Sequence, residues 1–549
     1  MFDQTKSWPF QEARSLLAHI TAKGKKPGDL VTFETGYGPS GTPHIGTFGE
    51  VVRTLWVMRA FRAITDNQYP TRLIMFSDDY DALRKVPDDM PESMKDYLGF
   101  RLTAVPSPYD DKLLGSSFGM ANNSKLVDFV SDILGVYDHS LQIQHTDGFP
   151  KFYSWIKDPE ELDMNRPGVF FCSATEFYRK GYFNDDLLNV WHNHQAILDI
   201  LLPTFGPERA ATYCAFMPLS GPDGQLDRYV KGAVQIVPDY EGHVINREKG
   251  YPVTSPVTHG MAKLQWYVDW AMRWNHFDVD YEMSGKDLMD SVKLSSQICK
   301  VLGGTPPLNL TYELFLDEHG AKISKTKGNG FTIQDWLRIG TMGSLMLFMF
   351  QDPRKAKKLY RDIVPQIEDQ YLKLRGKEAG PDDPNWHFSV EPIAPMTCEV
   401  SYQLLLNLGI VSQSATEKQL MAYLQQNREI PQAEYMFIHG LATKVLQYAI
   451  DSGRIGRARR QPTEKEAAAF SELATRFSLM VPNMDAEHFQ FQVYEVGKRH
   501  EFQPLRTWFQ ALYECLLGSS DGPRFGAFTA AYGLNNTIAL LRQYEQVEA

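Results

Sequence analysis

The stretch Leu30-Val31-Thr32-Phe33-Glu34-Thr35-Gly36-Tyr37-Gly38-Pro39-Ser40-Gly41-Thr42-Pro43-His44-Ile45-Gly46-Thr47 changes character twice. A short apolar run, Leu30 to Phe33, reads as a strand, and the glycines with Pro39 that follow read as a turn. Pro43 suits the start of a helix, because its missing N–H would have had no intrahelical partner there. Val51, Val52, Leu55, Val57 and Met58 then recur at helical spacing, and a second apolar run, Thr71 to Phe76, supplies the next strand. Strand, helix and strand predict a βαβ unit, hence an α/β fold with a parallel sheet and a ligand site at the strand ends.

Working outward, residues 116–225 are rich in aromatics, Asp and Pro, with one helical stretch from Leu187 to Leu202, and read as an insertion. Val253 to Met283 and the segment up to Leu302 resume the mixed pattern of the first sheet. From about residue 335 the pattern is helical almost throughout, and Thr416 with Gln419 and Thr463 with Glu466 have capping-box spacing. The expected organisation is 1–115 and 226–305 as two halves of a catalytic domain, 116–225 inserted between them, 306–370 carrying a basic loop, and 371–549 as a helical region.

Length and composition agree with this. A chain of 549 residues implies roughly three to five structural units. With 43% hydrophobic and 12% aromatic residues it can bury large cores. The apolar run Leu345 to Phe350 falls far short of the ~20 residues of a membrane span. The N-terminus lacks a basic region followed by an apolar run, so the expected location is the cytoplasm, with no membrane partner. The 5 cysteines, Cys172, Cys214, Cys299, Cys398 and Cys515, are scattered and form no Cys-x-x-Cys pair. A mixed zinc site of Cys172 with His192 and His194 can be drawn, but no zinc is expected. The net charge of -11 does not exclude a nucleic-acid partner, because binding depends on local basic surface and basic runs occur late in the chain.

Two segments carry chemistry. In the first, Gly38 to Thr47, a glycine-rich turn entering a helix points unpaired backbone N–H groups and the positive helix end at one spot, which suits a phosphate. His44, in the first turn, can donate a hydrogen bond to oxygens on a phosphorus centre, and Gly46 lets a flat base approach the backbone. The second segment, Asp317-Glu318-His319-Gly320-Ala321-Lys322-Ile323-Ser324-Lys325-Thr326-Lys327-Gly328-Asn329-Gly330, is a cationic loop flanked by glycines that can close over polyphosphate.

Together these segments resemble a known family. His44-Ile45-Gly46-Thr47 resembles the HIGH signature of class I aminoacyl-tRNA synthetases, and Lys322-Ile323-Ser324-Lys325-Thr326 resembles their KMSKS loop. The Glu34 to Gly46 entry, Ser77 to Pro87, Ala174 to Tyr178, Lys263 to Trp266, Met272 to Trp274, Gly285-Lys286-Asp287 and Tyr312 to Asp317 are similar to the class I lysyl branch. The resemblance implies a Rossmann-like catalytic domain with a connective insertion, followed by an all-α anticodon-binding domain. It implies ATP-dependent attachment of lysine to tRNA(Lys) through a lysyl-adenylate, with Mg²⁺ accompanying the ATP. The sites implied are Pro39, Gly41, His44, Gly46, Asp287, Lys322, Ser324 and Lys325 for ATP, with His44, Thr47, Lys322 and Lys325 catalytic. Gly36 and Gly38 would meet the amino acid's α-groups, and Trp266 and Asp269 its side chain. A monomer is expected.

Cationic clusters mark where tRNA is expected. Arg354, Lys355, Lys357, Lys358 and Arg361 read as a basic helix near the active site, with Arg354 and Lys357 as phosphate contacts. Arg454, Arg457, Arg459 and Arg460 form a basic loop, and Lys498, Arg499, Arg506 and Trp508 mix charge with an aromatic, which suits unstacked bases. Three positions depart from the family pattern. Thr47 stands where asparagine is usual, Leu288 where histidine is usual, and Gly38 where Ser or Thr is usual. A leucine cannot hydrogen-bond, so two alternatives stay open: a class I synthetase for another amino acid such as glutamate, and a non-catalytic tRNA-binding paralogue.

Overall fold

The structure, a computed structural model, describes residues 2, 4–41, 45–87, 90–109, 117–137, 166–219, 229, 234–247, 252–323, 331–375, 377, 379–388, 400–412, 414, 416–455, 459–481, 484–520 and 522–544, with the backbone alone described at 129, 131–137 and 427. The chain divides into two units. The first holds Met1–Phe331, Met349–Leu359 and Ala379–Glu391, and the second holds Thr332–Phe348, Tyr360–Glu378 and Pro392–Ala549.

At the centre of the first unit is a five-stranded parallel sheet. Its strands are β1 (Val31–Tyr37), β2 (Thr71–Ser77), β3 (Gly168–Ser173), β4 (Val279–Gly285) and β5 (Leu308–Tyr312), in spatial order β5-β4-β1-β2-β3. Almost every strand residue of β1 to β4 is buried, as parallel sheets covered on both faces require. From β1 the chain moves outward through β2 to β3, then returns to build β4 and β5 on the other side of β1. The order therefore reverses between β1 and β4, and their carboxyl ends flank the open crevice where such sheets bind ligands. β3 lies inside the segment read as an insertion, so that segment contributes the sheet's edge strand.

Helix α1 (Trp8–Ala22) packs on α2 (Ile45–Ile64), the helix of the βαβ unit. Helix α2 is apolar nearly all round because it is buried on most sides, and its Arg53 is enclosed with it. Arg53 donates from Nε to the Met349 carbonyl at 3.1 Å and lies over the rings of Tyr312 and Phe315. An aromatic cluster of Trp8, Trp56, Phe350 and Phe388 closes this side. Two further helices, α3 (Trp266–His276) and α4 (Met289–Val301), pack together beside β4.

A buried charge cluster joins α3 to the sheet. Glu34 on β1 and Glu282 on β4 are register partners, both fully enclosed, and Arg273 of α3 reaches between them. Its Nε lies 3.2 Å from Glu34, and Nη1 bonds Asp78 and lies 3.4 Å from Asp269. Trp270 donates to Glu282 at 2.9 Å, and Trp274 donates to the same oxygen. Burial pushes the Glu34 carboxyl well above its ordinary value and that of Glu282 to about 7, against the pull of Arg273. Burial alone would lower the Arg273 guanidinium, but the carboxylates around it, Asp78 foremost, hold it above its ordinary value.

The second unit is helical wherever regular structure is described. Thr416 and Thr463 head their helices with complete capping boxes, as their spacing predicts, and Thr332 with Asp335 forms a third. Tyr402–Val411 is buried along its whole length, and Arg338 pairs with Asp451. The helical unit takes up the chain at Thr332, within the 306–370 segment, while Met349–Leu359 returns to the first unit. The expected basic helix around Arg354 to Arg361 does not form. The preceding helix ends at Phe350, Pro353 cannot continue one, and Lys357–Lys358 instead pairs with Phe315–Leu316 as a short parallel strand. Trp508, expected with Lys498, Arg499 and Arg506 to suit unstacked bases, is wholly buried and donates to the Val493 carbonyl at 2.9 Å. Among the described residues, no helix is long and apolar enough to cross a membrane.

The Arg273 cluster gives a stability prediction. Arg273→Met leaves several enclosed carboxyls without their cation, and denaturant unfolding of the first unit should show a loss of ~3–5 kcal/mol. The orphaned carboxyls would then hold protons more tightly folded than unfolded, so the deficit should shrink as pH falls from 8 to 5. A deficit that is absent, or that grows on acidification, would contradict this role for Arg273.

Candidate active site

The carboxyl ends of β1 and β4 and the start of α2 border a cavity of ≈ 440 Å³. Gly36, Gly38, Gly46, Thr47, Asp287 and Lys322, all expected site residues from distant parts of the chain, line it together. Pro39 and Gly41 are buried in the turn and do not line it. The Pro39 carbonyl accepts from Asn122 at 3.0 Å and the Gly41 carbonyl from the Tyr37 hydroxyl at 3.0 Å, which fixes the turn's path. His44, Ser324 and Lys325 lie outside the described residues, as does Arg457.

Local chemistry explains the arrangement. Ile45, Gly46 and Thr47 open a long helix, so its first-turn N–H groups have no partners within the helix, and all three residues face the cavity. Lys322 is held by a tight turn in which Asp317 accepts from the N–H groups of His319 at 3.0 Å and Ala321 at 2.8 Å. Its ammonium lies 2.9 Å from Asp287, which projects just beyond β4. Both side chains are about half exposed, so the pair is screened and separates at little cost. At Gly285 a Cβ would come within 2.7 Å of an Asp287 carboxylate oxygen, so the glycine makes room for Asp287.

Glu50 was not among the expected site residues. It lines the cavity from α2, accepts from the Gly36 N–H at 3.3 Å and from the Tyr312 hydroxyl at 2.6 Å, and burial pushes its carboxyl up to about 7 despite those bonds. A signal was present in the sequence. Glu50 is the one acidic residue of α2 and stands one helical turn after Gly46, hence on the same face. The remaining wall is largely apolar, from Leu288, Leu314, Phe315, Ile323, Phe331 and Leu359. The cavity thus offers amide donors and one lysine for phosphate, an apolar surface for a flat ring, and three acids, of which Asp287 pairs with Lys322 and Glu313 with Lys286 while Glu50 is held by neutral donors.

The two residues expected around the amino acid's side chain lie elsewhere. Asp269 is fully buried and accepts from the Tyr178 hydroxyl while facing Arg273 and Lys263, so its charge is already matched inside the protein. Trp266 is stacked on Trp270 at 4.8 Å and lines a different cavity. Of the expected tRNA contacts, Arg354 pairs with Glu12, and Arg460 pairs with Glu466 at 2.7 Å and Glu514 at 2.6 Å. Arg459 is partly buried. Lys357 is half-buried, donates to the Gln351 carbonyl at 2.6 Å, and has its amine pushed down to about 6 by burial, so it carries little charge at neutral pH. Of the residues weighed for zinc, Cys172 is buried within β3, His192 pairs with Glu241 and His194 accepts from the Ala215 N–H.

Sequence comparison bears on what this cavity serves. The family model described as tRNA synthetases class I (K) matches residues 6–146 and 159–387. A lysine--tRNA ligase of Roseobacter denitrificans is 38% identical over 98% of this chain and 96% of that protein. One from Rickettsia bellii is 35% identical over 98% of each. Among solved structures, a glutamate tRNA ligase of Elizabethkingia meningosepticum aligns over 94% of this chain and 100% of that one at 11% identity with a TM-score of 0.36, a level at which no correspondence is drawn. With a family match across most of its length and relatives similar from end to end, the chain belongs to the class I (K) tRNA synthetases.

Proposed function

We propose that the chain joins lysine to its tRNA in two steps within this cavity. The lysine carboxylate attacks the α-phosphorus of ATP, forming lysyl-adenylate as pyrophosphate leaves. A hydroxyl of the tRNA's terminal ribose then attacks the adenylate carbonyl and AMP departs. No covalent enzyme intermediate is needed, so the protein contributes position and charge. The first-turn amides of α2, Thr47 among that turn's residues, receive phosphate oxygens, and His44 donates to the α-phosphate. Lys322 and Lys325 offset the charge of the departing pyrophosphate, Gly46 lies under the adenine, and Asp287 takes the ribose hydroxyls. Mg²⁺ enters with ATP as part of that substrate. Gly36 and Gly38 present backbone to the amino acid's α-groups.

The observation that carries lysine as the substrate is Glu50, the lining acid held by neutral donors. Glu50, fixed by Gly36 and Tyr312, is placed to receive an ammonium, and Leu288 adds apolar surface for the methylene stem. Among the described residues no arginine lines the cavity to receive a glutamate side chain.

The test is ATP–pyrophosphate exchange with each amino acid, run with and without tRNA. Exchange that depends on lysine is expected, and exchange with glutamate alone, or with no amino acid under either condition, would overturn the proposal. Glu50→Gln should raise the KM for lysine about a hundredfold, in line with loss of one partner of an enclosed charge pair. An ammonium binds the ionised carboxylate, whose proton is retained below about 7. The KM for lysine should therefore fall between pH 6 and pH 8 in the wild type, and the variant's profile should be flat there.

Lys357 gives an independent check on the tRNA surface. Lys357→Met should leave tRNA affinity unchanged in a filter-binding titration, because the native amine is largely uncharged and bonded within the protein. A clear loss of affinity, together with a shallower salt dependence, would return this residue to the phosphate contacts.

A further inference from the structure

We propose that Asn122, which stands behind the cavity and does not line it, is a positioning residue that turns the Pro39–Ser40 peptide so that the Ser40 N–H donates to a nucleotide phosphate. The inference rests on the reading above for the identity of that nucleotide. Asn122 belongs to the helix Phe118–Tyr137, within the segment read as an insertion, and is wholly buried.

The turn between β1 and α2 has a buried side and an open side. Pro39 and Gly41 are buried, whereas Gly38 and Ser40 are exposed and line the cavity. On the buried side a side chain holds each carbonyl. Asn122 donates from Nδ2 to the Pro39 carbonyl at 3.0 Å, and the Tyr37 hydroxyl donates to the Gly41 carbonyl at 3.0 Å. The Pro39–Ser40 bond is trans, so its C=O and N–H are antiparallel. A carbonyl fixed toward Asn122 therefore sends the Ser40 N–H the opposite way, to the side that faces the cavity, and among the described residues nothing accepts from it. Packing alone does not impose this orientation, since a Cβ at Gly38 or Gly41 would meet nothing within 4 Å.

The surroundings of Asn122 fix its own orientation. Its amide can donate at one end and accept at the other, and the Tyr109 hydroxyl donates to Oδ1 at 2.9 Å, which leaves Nδ2 for Pro39. The next residue, Asn123, is also wholly buried, accepts from the Ser77 hydroxyl at 2.6 Å and donates to Asp79 at 3.1 Å. Asp79 in turn accepts from the Ser173 hydroxyl at 2.6 Å and the Thr175 N–H at 2.8 Å. These bonds tie the helix to the carboxyl ends of β2 and β3, so the group that orients the turn is itself referenced to the sheet. A donor preset in this way need not reorganise when a phosphate arrives.

The test is calorimetric binding of adenosine, AMP and ATP to the full-length chain, with no amino acid present. Asn122→Leu, close in size but unable to donate, should weaken AMP and ATP about tenfold, the scale of one hydrogen bond to a charged group. Adenosine should bind as in the wild type, because Gly46 and Asp287 stand on α2 and beyond β4 rather than on the turn. Tyr109→Phe, which removes only the hydroxyl that fixes the amide, should give the same pattern at about threefold. Replacing Ser40 by its α-hydroxy acid deletes this one N–H, should reproduce the full loss, and reports even if Asn122→Leu fails to fold. Combined with Asn122→Leu it should add little, because both changes act on one bond. Equal weakening of adenosine and AMP would make Asn122 a structural residue only. A wild type indifferent to the phosphate, unchanged AMP affinity in the variants, or additive losses would equally overturn the proposal. Since lysine is absent from the measurement, this pattern without lysine-dependent exchange would count against the aminoacylation reading and leave the role of Asn122 standing.

Discussion

Glu34 and Glu282 stand opposite one another on adjacent strands, both fully enclosed, and Arg273 lets them do so. Two carboxyls placed there without a cation would repel or take up protons. The guanidinium, with two tryptophan N–H donors on Glu282, turns that conflict into a joint between α3 and the sheet. The joint sits where the strand order reverses, so it fixes the spacing of β1 and β4 at the ends that open into the cavity. Gly36 follows Glu34 by two residues and therefore points to the same face, with Arg273 and Glu282 just behind it.

The cavity divides its parts by rigidity. Glu50 is held by two hydrogen bonds from the walls and belongs to a long buried helix, which suits a site that must recognise one side chain. Lys322 and Asp287 are half exposed and bonded chiefly to each other, which suits groups that must part when ATP arrives. The cost of selecting the amino acid is met by the folded core, whereas the phosphate contacts remain adjustable.

The parts of this arrangement that lie close together in the chain were legible in the sequence. The β1-turn-α2 segment announces itself by an apolar run, glycines and then helical spacing, and the capping boxes at Thr416 and Thr463 need only a separation of three residues. Convergence of the Gly36 to Thr47 segment with Lys322 followed from two linked signatures. What escaped depends on partners far along the chain. Asp269 is occupied by Tyr178 and Lys263, which lie far from it in the chain, and Arg460 is paired with Glu514, 54 residues away. Trp508 and Lys357 are enclosed by residues that no local pattern announces. Strand β3 was hidden in a stretch dominated by loop-like composition, because a short edge strand adds little periodicity of its own.

In the proposed reaction the glycine-rich turn and the Lys322 loop grip one nucleotide while Glu50 faces the amino acid joined to it. A crystal structure of the chain with a non-hydrolysable lysyl-adenylate analogue tests this most directly. The account predicts the adenosine between Gly46 and Asp287, with the lysine ammonium within hydrogen-bonding distance of Glu50. An analogue bound with its ammonium against Asp269, or outside the cavity between β1 and β4, would contradict it.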